Sequence, residues 1–251
     1  MISVEKPGTP EELVHFGVKG MRWGVRKERE ASDSSATKGL EHFSKSQAKA
    51  MGDVAKMTEK AYGFKIHEFI PQTEAEDHQH LSIVHPKRKG EIENRISVTA
   101  HPRFKEVLLD SQNQGYLVHT DPKRAIEGNL THESAHGLFH ANDSSGKGVK
   151  YAKNARMTSL RDSAWKSAET QAIKDGHILP DKNHGDPHFQ MIDKISKYAS
   201  SSPYLEEYEA EMFTAYHWSP NPPKFVDAFM NDIHRQMGIT VKPFSGRKAH
   251  A

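Results

Sequence analysis

The chain has 251 residues, 35 Lys and Arg against 33 Asp and Glu, a formal net charge of +2, 17 histidines and no cysteine. The near-neutral balance gives no global electrostatic reason to bind nucleic acid, and the missing thiols exclude disulfides, thiolate metal sites and a cysteine nucleophile. Only 35% of residues are hydrophobic and no run of 18 apolar residues occurs, so neither a membrane span nor a core through the whole length is expected. The first twenty residues also lack the apolar stretch of a secretory signal.

Residues 1–30 form a basic segment. Phe16, Met21 and Trp23 lie among Lys19, Arg22, Arg26, Lys27 and Arg29, with glycines at 17, 20 and 24. Aromatic anchors with positive charge suit docking, through residues 13–29, onto a partner or onto phosphates. Residues 31–40 read as a flexible linker. From 41 to about 62, Phe43, Ala50, Val54, Met57 and Ala61 recur at helical intervals, predicting an amphipathic helix.

Residues 64–120 read as the sheet half of a domain. Short β-branched or aromatic runs occur at 80–85, 95–100 and 115–120, with a helix near 103–110. His78, His80, His85, His101 and His119 have no helical or turn spacing and read as solvated.

After the helix start at Asp121-Pro122 comes Leu130-Thr131-His132-Glu133-Ser134-Ala135-His136-Gly137-Leu138. On a helix His132 and His136 project from one face and can take two corners of a zinc tetrahedron. Glu133 lies about 100° round the helix, placed to reach a water beside the ion. Leu130, Ser134 and Leu138 fall opposite and give the helix a face to bury. Residues 141–148 read as a loop, 158–175 as a further amphipathic helix, and 177–188 as a connector rich in histidine and proline.

A catalytic zinc site needs a third ligand. Phe139 and Asn142 exclude the extended motif with a third histidine, so a later carboxylate is required. The helical stretch from Pro203 to Tyr216 carries Glu206, Glu207, Glu209 and Glu211. Glu207 and Glu211 share a face, so one can bind metal while the other orients a histidine.

Two resemblances follow. The segment His15-Phe16-Gly17-Val18-Lys19-Gly20-Met21-Arg22-Trp23-Gly24-Val25-Arg26-Lys27 is similar to a short signature of tailed-phage head proteins. That likeness implies a virion setting or the cytoplasm of a bacterial host, with head or portal proteins as partners. Residues 95–237, through His132, Glu133, His136, Glu207-x-x-Ala210-Glu211-x-Phe213 and the preceding Ser196-Lys197-Tyr198-Ala199, resemble the anthrax lethal-factor-like zinc peptidase domain, a gluzincin. Residues 222–233 look like its closing helix.

The resemblance implies His132, His136 and Glu207 as Zn2+ ligands, Glu133 as general base, Glu211 behind a ligand, and Tyr198 as oxyanion donor with Tyr204 as the rival. Ala135 stands where glycine is common, and the interval before Glu207 is long. The expected fold is α+β and zincin-like: a small mixed sheet over an active-site helix, then a helical C-terminal half. The expected division is 1–30 docking segment, 31–62 linker and helix, and 63–245 peptidase domain. The expected activity is zinc-dependent hydrolysis of a protein or peptide substrate; the alternative is a structural phage head or neck protein that keeps zinc for folding.

Overall fold

The computed structural model describes residues 37–72, 82–85, 94–100, 102–140, 157–178, 187–200 and 205–248. The basic N-terminal segment, His78, His80, His101, Tyr204 and the loop at 141–148 lie outside the described residues, as does most of the 177–188 connector.

Helix α1 (Lys45–Tyr62) starts at a capping box: Ser44 accepts from the Gln47 backbone N–H and the Gln47 side chain accepts from that of Ser44. It stops at Gly63, whose φ of 68° is left-handed. Its buried face is Gln47, Ala50, Met51, Val54, Ala55, Thr58 and Tyr62; of the predicted stripe Ala50 and Val54 are buried, and Phe43, Met57 and Ala61 are partly buried and packed on the core.

Strands β1 (Glu68–Gln72), β2 (Ser82–His85) and β3 (Arg95–Thr99) make one sheet in the order β1-β3-β2. β1 runs parallel to β3 and β2 antiparallel to it, so the sheet is mixed. Lys38 bridges to Glu68 on the outer side of β1. The structure departs from expectation at 115–120, which is not a strand. After α2 (Phe104–Asn113) the chain turns at Gly115, with φ of 70°, and the carbonyls of Gly115 and Tyr116 accept the N–H groups of Lys197 and Tyr198. These groups bond to a distant segment, so no sheet neighbour pairs with them there.

Asp121 caps the turn at Pro122–Arg124 by accepting from Lys123 N–H, and α3 (Ala125–His140) follows. The one-sided burial expected for α3 is not observed. His132 and His136 are as buried as Leu130 and Leu138. α3 packs on α1, on α2, on β2 and on a later helix, α7 (Leu205–Trp218). Gly137 is what lets Phe64 approach, because a Cβ there would lie 2.3 Å from the Phe64 ring. Helix α4 (Met157–Lys174) buries Ala164, Trp165, Ala168 and Ala172 while Ile173, expected in its stripe, is exposed. Two short helices, α5 (Pro187–Ile192) and α6 (Lys197–Ser200), precede α7, and α8 (Lys224–Met237) packs on α4 and α7. One hydrophobic core joins α1, the sheet and the helices, and the fold is α+β. No helix among the described residues is long and apolar enough to cross a membrane.

Three elements meet at a buried polar chain. The Tyr62 hydroxyl is 2.8 Å from His217 Nε2 on α7 and 2.8 Å from His234 Nε2 on α8. His217 Nδ1 accepts from the Phe244 N–H at 3.3 Å. His217 therefore carries its proton on Nε2 and donates it to Tyr62, whose O–H in turn donates to His234. Burial holds His217 well below 6.5 and His234 at about 4.

Both imidazoles are neutral when folded, so below pH 6.5 the unfolded chain binds more protons and stability falls until about pH 4. A histidine held at about 4 contributes about 3 kcal/mol of that loss. Urea titrations should show His234→Gln less stable than the parent at pH 7 and less sensitive to acid between pH 6.5 and 4; equal slopes in the two proteins would refute this origin.

Candidate metal centre

Helices α3 and α7 bring the predicted residues together. His132 Nε2 is 3.2 Å from Glu207 Oε2 and 3.2 Å from His136 Nε2, and His136 Nε2 is 3.6 Å from Glu207 Oε2. Ligands bonded at about 2.0–2.2 Å to a tetrahedral ion stand about 3.3–3.6 Å from one another. The three atoms therefore form one face of a tetrahedron of the size a small divalent cation requires. All three residues are buried, and they make up the group able to hold a metal among the described residues.

Proton accounting points the same way. His132 Nδ1 faces Glu211 Oε1 at 3.3 Å and donates to it, which directs the Nε2 lone pair of the neutral ring at the other two atoms. A carboxylate oxygen and two imidazole lone pairs at those separations repel unless a cation lies between them. In its absence a proton serves. Burial opposes charge on His132, but the bonds to Glu207 and Glu211 outweigh it and hold this imidazole well above 6.5.

The acids of α7 separate by direction. Glu207 and Glu211 face α3, whereas Glu209 points to α4, where the Trp165 indole donates to it at 3.1 Å and Arg161 lies 3.4 Å away. Glu206 is the half-buried member. Of the four acids weighed in the sequence, Glu207 is the one whose oxygen joins the two imidazole nitrogens, and Glu211 is the one that faces His132 Nδ1.

Glu133 is buried on α3 next to His132. Tyr198, on α6, packs its ring against His132 at 6.1 Å between centroids. Burial, then the charges of Glu207, Glu133 and Glu211, push the Tyr198 hydroxyl up, so it stays protonated and able to donate. Its backbone N–H bonds to Tyr116 O at 2.8 Å, and Ser196 Oγ donates to the same carbonyl at 2.9 Å. Of the histidines read as solvated, His119 is exposed. His188 packs on Trp165 at 4.4 Å between ring centroids.

Sequence reasoning missed Trp218 and Thr131. The Trp218 indole N–H donates to Thr131 Oγ1 at 2.7 Å, with both side chains buried. The signal was faint: Trp218 sits seven residues beyond Glu211, two turns along one helix face.

A family model described as DUF7211, a family of unknown function, matches residues 6–30. No curated protein and no solved structure matches the chain.

Thr131→Val removes the acceptor with little change of shape and should cost about 1–2 kcal/mol in chemical denaturation, whereas Trp218→Phe removes the N–H and also leaves a cavity and should cost more; the double variant should cost well under the combined effect. Simple additivity would show that the two groups are not energetically coupled.

Proposed function

We propose that the chain is a zinc-dependent endopeptidase with a zincin-like fold of the gluzincin kind. The observation that carries this reading is the 3.2, 3.2 and 3.6 Å triangle of His132 Nε2, His136 Nε2 and Glu207 Oε2 with Glu133 adjacent in sequence. Two imidazoles and one carboxylate are a ligand set that leaves a coordination position open, as catalytic zinc sites do. His132, His136 and Glu207 would hold the zinc, which would supply Lewis-acid activation of water and of the scissile carbonyl.

The rest of the chemistry belongs to side chains. Glu133 accepts the proton of the attacking water on its carboxylate and returns it to the leaving amine. The Tyr198 O–H donates to the carbonyl oxygen as negative charge develops, and its raised pKa keeps the proton in place until then. Glu211 holds the His132 tautomer by accepting from Nδ1. Burial of His132, Glu133 and His136 keeps competing water from these bonds. Among the described residues β2 ends the sheet order and packs on α3, so an extended peptide can pair with its outer edge.

A purely structural zinc site explains Glu133 and Tyr198 poorly, because neither is needed to hold an ion. The phage-type signature at residues 15–27 favours an enzyme that docks on head or portal proteins in a virion or acts in the host cytoplasm.

Purified protein should bind about one zinc per chain by elemental analysis. Glu133→Gln should keep that metal while cleavage of peptides falls by a factor of about 10²–10⁴; undiminished proteolysis would remove the mechanism. Glu211→Ala should weaken zinc binding about 10–100-fold in a competition with a chromogenic chelator, and Tyr198→Phe should lower kcat while leaving zinc affinity alone. Equal zinc affinity in Glu211→Ala and the parent would show that Glu211 does not tune His132.

A further inference from the structure

Among the described residues, the large apolar side chains exposed to solvent are Tyr116, Ile173 and Phe189. Tyr116 differs from the other two in what lies behind it. Its ring packs on Tyr198 at 5.6 Å, and Tyr198 packs on His132 at 6.1 Å, so three rings run in contact from solvent to the ligand triangle. The Tyr116 ring therefore lies within about 12 Å of the His132 ring, a span of little more than three residues of extended peptide.

The platform is also rigid. Tyr116 N–H bonds to Ser111 O at 2.8 Å, and Tyr116 O accepts from both Tyr198 N–H and Ser196 Oγ. The segment carrying the oxyanion donor thus holds the exposed ring in register with it. An exposed aromatic ring fixed this way loses little entropy when a ligand covers it.

We infer that Tyr116 is a specificity-determining residue, and that the substrate presents a large apolar side chain, aromatic or branched aliphatic, to its ring within three residues of the scissile bond. The inference rests on the peptidase reading. A π face accepts apolar rings by offset or edge contact, and also accepts cations. The second class is disfavoured here because Lys197 Nζ sits on Gln114 O, two residues from Tyr116. Contact with the platform contributes to binding of ground state and transition state alike, so its loss appears in KM.

The test uses a randomised decapeptide library and the zinc-loaded full chain. Cleavage products read by mass spectrometry locate the scissile bond, and peptides retained by Glu133→Gln protein report binding without turnover. Aromatic and branched aliphatic residues should be enriched at one position within three residues of the cut. Adding Tyr116→Ala should reduce that enrichment about fivefold in both readouts and raise KM with kcat held, while Tyr116→Phe keeps it. Zinc content and cleavage of peptides with alanine at that position should not change. Undiminished enrichment in Tyr116→Ala overturns the inference and leaves the peptidase standing. Loss of alanine-peptide cleavage or of zinc in Tyr116→Ala also overturns it, since Tyr116 then only supports Tyr198. If the unsubstituted zinc-loaded protein cuts no member of the library, the peptidase reading falls and takes this inference with it.

Discussion

The pairing of α3 with α7 is the constraint on which the rest of the structure depends. As α7 advances from Glu207 through Glu211 to Trp218, its partners on α3 run back from His136 and His132 to Thr131, so the helices are antiparallel. One helical turn is about 5.4 Å, and a slip of even a fraction of that would pull Glu207 Oε2 out of the triangle. Glu211 on His132 and Trp218 on Thr131 pin the register at two further points. The surrounding elements act as a frame: the sheet and α1 close on α3, while α8 packs on α7 and on α4.

Much of the centre was legible in the sequence because its geometry is helical and local. The four-residue spacing of His132 and His136, and of Glu207 and Glu211, fixes a shared face before any tertiary contact exists. Choosing among the acids of α7 was harder, since the choice depends on what packs on each side. Only the fold turns Glu209 towards Trp165 and Arg161. Tyr198 was reached through resemblance and not through spacing; its position comes from backbone bonds to Gly115 and Tyr116, some eighty residues away. The same bonds explain the strand wrongly expected at 115–120. Its alternating residues fit a strand, but its carbonyls are taken by α6, and composition says nothing about a partner so far along the chain.

The Tyr62, His217 and His234 chain was invisible for a related reason. Each residue is unremarked in its own helix, and the cluster exists only where α1, α7 and α8 converge. It adds directional bonds to a core otherwise built from Phe213, Phe225, Phe229 and their neighbours. Phe244 extends it by stacking on His217 at 3.7 Å while its N–H bonds the ring, so the C-terminal residues are held against α7. Arg247 completes the clasp with Asp227 at 2.6 Å and the Tyr216 carbonyl at 3.0 Å.

Buried carboxylates give a last argument about what the α3–α7 interface is for. A helix carrying acids on several buried faces is costly unless each charge has a partner. Asp227 has a guanidinium, and Glu209 has an indole and a guanidinium. Glu207 and Glu211 instead share imidazoles, and Glu211 already engages His132 on the far nitrogen. Two carboxylates across one imidazole explain why the metal-free ring favours its charged form. His132, His136 and Glu207 would hold a divalent cation, whose charge would take the place of that proton and leave His132 neutral with Nδ1–H donating to Glu211. A site built only to hold two helices together could use an apolar contact of the same size at less electrostatic cost. Two carboxylates and two imidazoles kept there, with Tyr198 packed on His132 and held protonated by burial and the nearby acids, fit the proposed role of the centre better than a purely structural contact does.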